Sequence, residues 1–113
     1  PDHPLVAGLE DFIATDEPYC CEVLSDIEVL LGSRYSSDVM TDLPPEWDDA
    51  QRLQPQMYIK AVGAGEILYL MLGHCCGPYD MQPIMEQCDA VRGSWDLPVY
   101  YELLRRGLNW GLS

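Results

Sequence analysis

The residues with the widest chemical repertoire are the run His74, Cys75 and Cys76, joined by a second vicinal pair, Cys20 and Cys21, and by Cys88. Imidazole and thiolate are ligands of structural zinc, and the same two groups make a base and a nucleophile. Spacing decides how far either chemistry carries. A zinc knuckle places its two thiolates a few residues apart so that both converge on one ion, whereas adjacent cysteines diverge, by about 100° on a helix or to opposite faces of a strand. A thiol nucleophile needs a histidine that faces it and a third group to orient the ring. Sequence neighbours seldom face each other that way, and the only other histidine, His3, lies near the start of the sequence. One member of each vicinal pair therefore reads as a small buried hydrophobe. The odd count of five, without the spread spacing of a secreted disulfide scaffold, points to thiols in a reducing compartment. A Cys/His metal-binding protein stays as an alternative, with no metal ligand, catalytic residue or cofactor assigned.

Carboxylates are the second chemically capable group. Nineteen Asp and Glu in 113 residues produce close pairs by chance, so Glu10 with Asp11, Asp16 with Glu17 and Asp48 with Asp49 do not by themselves make an acid–base couple. Two of these pairs fall in expected first turns of helices, where negative charge stabilises by about 0.3–1 kcal/mol. The chain is accordingly expected not to be an enzyme.

The distribution of the carboxylates says more than their pairing. Between Pro1 and Ala50 there are thirteen against one cation, Arg34, while the remaining 63 residues carry six against five cations. About −12 of the formal net charge of −13 therefore sits in the first 50 residues. Such a field disfavours nucleic acid and anionic bilayers as partners and favours a cationic protein. The longest apolar stretch, 57–72, is broken by Lys60 and Glu66 and is shorter than the ~20 residues of a membrane span.

The elements that must position these groups read as helices. The length suits one domain, and an apolar fraction of 48% separates the chain from disordered acidic tails. Leu5, Leu9, Phe12 and Ile13 predict a short amphipathic helix over 4–14. Asp16 or Thr15 as cap, Glu17 and Pro18 in the first turn, and Val23, Leu24, Ile27, Leu30 and Leu31 predict a second, ending at Gly32. Pro44 and Pro45 before Glu46, Trp47, Asp48 and Asp49 predict a third, to Leu53. Residues 56–76 fit a long helix through Met57, Ala61, Gly65, Leu68 and Leu72, with a β-hairpin across Gly63–Gly65 as the alternative. Asp80 and Asp96 are expected caps for two more, the last carrying Tyr100, Leu103 and Leu104 with Arg105 and Arg106 in its final turn before Gly107. The expected fold is mainly α, a single acidic helical domain of about five helices over 1–113, with α+β as the alternative.

On the second expected helix, Glu22 and Asp26 form an i,i+4 like-charge pair that no cation relieves, with Glu28 just beyond. Trp47 sits among Glu46, Asp48 and Asp49, and an aromatic inside a charged ring is the make-up of an interface centre. Glu10, Asp11, Glu22, Asp26, Glu28, Trp47, Asp48 and Asp49 are therefore the expected partner-binding residues. The reading is a cytoplasmic binding protein that neutralises a basic partner, as an immunity protein or antitoxin blocks a toxin. A phage-type inhibitor of a nucleic-acid enzyme, a DNA mimic or an anti-CRISPR protein, is the alternative. Carboxylates concentrated in one half favour the one-sided inhibitor over a DNA mimic.

Overall fold

The computed structural model describes residues 3–17, 19, 21–34, 53–77 and 89–113. These form three strands, β1 (Glu28–Ser33), β2 (Gln54–Val62) and β3 (Gly65–Leu70), a 3-10 turn at Gly93–Asp96 and one helix, α1 (Pro98–Gly111). The fold is α+β with more strand than helix, which overturns the expected mainly α architecture of about five helices. The chain divides into two compact units, one of Tyr19–Met71, the other of Asp2–Pro18 with Leu72–Ser113.

The first unit is built on an antiparallel sheet of order β1-β2-β3. The hairpin, the alternative at 56–76, is what forms there. β2 and β3 pair without a break from Met57↔Leu70 to Val62↔Gly65. Gly63, at φ 62, opens the two-residue turn with the positive φ that a hairpin turn demands at this position. The period explains the choice: Met57 and Ile59 are buried while Tyr58 and Lys60 are half-buried, an alternation of two rather than 3.6. A helix would also have carried Gly63 and Gly65 in its interior at about 1 kcal/mol each.

The second expected helix, over 15–31, is also absent. Its last residues enter β1, which pairs with β2 from Glu28↔Ile59 to Ser33↔Gln54. A register irregularity between Val29 and Leu31 makes Leu30 the extra residue, and Leu30 is buried. Strand pairing gives these backbone groups partners on β2, and it avoids the unrelieved Glu22–Asp26 apposition of a helix. Two buried glutamines complete the unit. Gln54 Oε1 accepts the Cys21 N–H at 2.9 Å, and Gln56 Nε2 donates to Ser33 Oγ at 2.8 Å. Among the described residues, no buried side-chain nitrogen or oxygen lacks a partner.

In the second unit the expected helix over 4–14 is reduced to a turn at 4–8 that buries Leu5 and Val6. Arg106 explains the early stop. Its guanidinium donates to the carbonyls of Pro4, Leu5 and Ala7 at 3.4, 3.3 and 2.9 Å, so these oxygens serve the arginine instead of a helical ladder. Helix α1 forms as the spacing predicts, burying Tyr100 and Leu103, but Leu97 rather than Asp96 is its N-cap and it runs through Gly107 to Gly111. Asp96 instead accepts from Arg92 Nε at 2.8 Å. Arg105 and Arg106, expected in the final turn, lie mid-helix and bind Glu102 at 2.6 and 2.7 Å. The helix expected from Asp80 falls mostly outside the described residues, and its expected end is not helical: Val91 exchanges backbone hydrogen bonds with Cys76 at 2.8 and 3.1 Å. The helix expected over 44–53 lies outside the described residues apart from Leu53.

Leu103 is 0% exposed and Leu108, on the same helix, 70%. Replacing Leu103 by Ala removes buried methyls and is expected to destabilise by about 2–5 kcal/mol in chemical denaturation. Leu108→Ala should stay within about 0.5 kcal/mol. Equal effects would show that α1 does not bury the face described.

Candidate functional site

In the second unit, the chemically capable residues gather around Asp16. The carboxylate accepts the N–H of Gly73 at 2.9 Å through Oδ2, and those of His74 at 3.1 Å and Glu17 at 2.9 Å through Oδ1. The hydroxyl of Ser94, fully buried at the start of the 3-10 turn, donates to Oδ2 as well. Burial pushes the Asp16 pKa up, but the bonds from Ser94, Gly73, Glu17 and His74 outweigh it and hold the group below its ordinary 3.8. The next residue, Glu17, takes the His74 ring: Nδ1 lies 2.5 Å from Glu17 Oε2. A carboxylate only accepts, so Nδ1 carries the proton.

An aromatic cluster backs this site. Trp95 Nε1 donates to the Gly73 carbonyl at 2.8 Å, and Tyr100 Oη donates to the Leu72 carbonyl at 3.3 Å. Trp95 and Tyr100 meet edge to face at 5.0 Å. Burial, the Asp16 charge and Tyr101 together raise the Tyr100 hydroxyl pKa above its ordinary value. Gly73, at φ 109, must be glycine for a second reason: a Cβ there would lie 2.0 Å from Tyr100 Oη.

The Asp16 bonds tie three stretches of chain together. A serine nucleophile hands its proton to an imidazole, whereas Ser94 gives its proton to a carboxylate and is 0% exposed. Cys75 is exposed beside His74, whose Nδ1–H is committed to Glu17. Cys76, half-buried, lies in the bridge to Val91 rather than opposite a second thiol. Cys21, Cys75 and Cys76 are free thiols. Among the described residues, no three of His, Cys, Asp and Glu come together as a metal site.

The expected partner-binding residues are placed differently from expectation. Glu10 and Asp11 are exposed on non-helical chain of the second unit. Glu22 and Asp26 are exposed on irregular chain of the first unit, and Glu28 opens β1, so the helix face that was to join the three does not exist. Trp47, Asp48 and Asp49 lie outside the described residues. Sequence reasoning missed the Asp16 cluster, because Asp16 and Glu17 look like a helix start and their partners are about 57–78 residues away.

Charge pairing separates the carboxylates into two classes. Among the described residues, the arginine ion pairs are Arg92–Asp96, Arg105–Glu102 and Arg106–Glu102, and the His74 ring bonds Glu17. The two arginines hold the Glu102 pKa down to about 2. Neither an ion pair nor a hydrogen bond among the described residues engages the side chains of Glu10, Asp11, Glu22, Asp26 or Glu28. No helix among the described residues is long and apolar enough to cross a membrane. No protein-family model, curated protein or solved structure matches the chain.

Because the folded-state pKa of Asp16 lies below its unfolded value, its stabilisation is present above about pH 4 and is lost as the pH falls through the depressed value. Asp16→Asn turns one acceptor into a donor that faces N–H groups. It is expected to destabilise by at least the roughly 1–3 kcal/mol of one unsatisfied buried donor. Its acid-unfolding profile below about pH 4 should also be flatter than that of the native protein. A variant that keeps the native acid profile would show that Asp16 does not hold these groups.

Proposed function

We propose that the protein is a non-enzymatic acidic binding protein that neutralises a basic partner protein, in the manner of an immunity protein or antitoxin that blocks a toxin. The observation that supports this reading is the division of the carboxylates. The fold engages Asp16 and Glu17 from the acidic half, and it leaves Glu10, Asp11, Glu22, Asp26 and Glu28 exposed. Among the described residues, Arg92, Arg105 and Arg106 are taken by Asp96 and Glu102, close in sequence. Exposed carboxylates that no described residue neutralises attract a cationic surface, and charge steering accelerates such encounters by about 10 to 1000-fold.

The helical like-charge pair no longer supports the reading, since Glu22 and Asp26 are not on a helix. In its place stands their exposure beside apolar side chains. Val23 and Leu24 between them are 48% and 86% exposed, and apolar groups within a charged surface suit an interface centre with a polar rim. A cytoplasmic setting follows from the same reading, in which the free thiols need a reducing compartment.

The test is the affinity for a partner co-purified from the native host, measured at rising salt. Affinity is expected to fall steadily with ionic strength, and joint replacement of Glu22, Asp26 and Glu28 by Lys is expected to slow association by about tenfold or more. An affinity indifferent to salt and to the triple replacement would overturn the proposal.

A further inference from the structure

The outer edge of β3 lacks most of the devices that protect sheet edges and keeps one charge, Glu66. Bulges, prolines, lysines and short length normally blunt an edge strand. β1, the opposite edge, has two register irregularities, whereas β3 pairs residue for residue over Gly65–Leu70 with no bulge and contains neither proline nor lysine. In an antiparallel pair alternate residues turn their N–H and C=O away from the partner. Among the described residues, no backbone group pairs with that outer side of β3.

On one face of the sheet the side chains along this edge are apolar and open. Ile67 and Tyr69 are each 49% exposed on one face of the sheet. The register puts Val29, Tyr58 and Tyr69 in one row across that face, with the two tyrosine rings stacked at 5.3 Å and 18°. Val62, on the same face, is 50% exposed. Exposed backbone groups beside exposed apolar side chains are what strand addition uses: the ladder gives affinity, and alternate side chains give specificity.

Charge selects the occupant. A second copy carries the same net charge of −13 and repels its like, whereas an extended cationic segment meets Glu66, a carboxylate that no cation among the described residues pairs and that lies on the opposite face of the sheet from Lys60. We propose that β3 receives an extended segment of the basic partner as a fourth strand. Its apolar side chains lie beside Ile67 and Tyr69, and its alternate basic side chains lie on the face of Glu66. This inference rests on the reading of the partner as basic and adds how that partner is held.

The probes are an alternating Arg-Val peptide of about seven residues, the same peptide fully N-methylated, and an oligoarginine of equal charge. Amide hydrogen exchange of residues 65–70 and 28–33 is the readout. The alternating peptide is expected to slow exchange in β3 by about tenfold or more and leave β1 unchanged, and N-methylation, which keeps charge but removes the ladder donors, should weaken binding by about tenfold or more. Ile67→Lys should lose the protection, and Val29→Lys, on the same face but the far strand, should keep it. Equal binding of the N-methylated peptide, or protection of β1 instead, would overturn strand addition. Binding of oligoarginine without protection of β3 would also overturn it while leaving the basic-partner reading intact, and failure of every cationic peptide to bind would remove both. Protection of β3 that rises with protein concentration alone, together with a dimer in sedimentation, would assign the edge to a second copy and overturn the proposal.

Discussion

One carboxylate organises the second unit. Asp16 gathers the amides of Gly73 and His74 and the hydroxyl of Ser94, so that three stretches far apart in sequence close on a single ionised group. Bonds to an ionised acceptor are roughly twice as strong as neutral ones, which is why they outweigh the burial that would otherwise raise its pKa. Much of the neighbourhood follows from this tie. Gly73 lies too close to Tyr100 to carry a side chain, Trp95 Nε1 binds the Gly73 carbonyl, and His74 faces Glu17. Ser94 gives its proton to the Asp16 carboxylate and not to an imidazole, the reverse of a serine nucleophile.

The same tie divides the acidic half of the chain. Asp16 and Glu17 are drawn into structure, while Glu10, Asp11, Glu22, Asp26 and Glu28 remain at the surface. Near the C-terminal helix, three arginines are matched locally: Arg92 with Asp96, and Arg105 and Arg106 with Glu102. Local matching there leaves the charge of the N-terminal half without an internal counterpart among these residues. A surface of that kind destabilises the free protein slightly by self-repulsion and lowers its energy when a cationic surface covers it.

Local signals were legible in the sequence and nonlocal ones were not. Helix α1 was readable from Pro98, Tyr100 and Leu103, though Gly107 looked like its end and is interior. The hairpin was readable as an alternative from Gly63 between two apolar runs, and a helix outranks it in the sequence because Leu, Met, Ala and Glu are helix formers. The first two helices failed for reasons that no window of sequence contains: Arg106 takes carbonyls about 100 residues upstream, and β2 supplies partners to Glu28–Ser33. At Asp16 the ambiguity is chemical, because a helix cap and a tertiary acceptor require the same residue. The exposed acids were legible as a group, but their expected common helix face was not real.

Among the described residues, exposed N-terminal carboxylates remain without internal neutralisation, and their mutual repulsion can be tested on the free protein. Thermal unfolding should be followed in sodium chloride from about 0.01 to 0.15 M, where the screening length shrinks from about 30 to about 8 Å. If the N-terminal carboxylates repel one another unrelieved, screening raises Tm across this range. A Tm that falls with salt would mean that attractive pairs dominate, and it would contradict an acidic surface left for a partner.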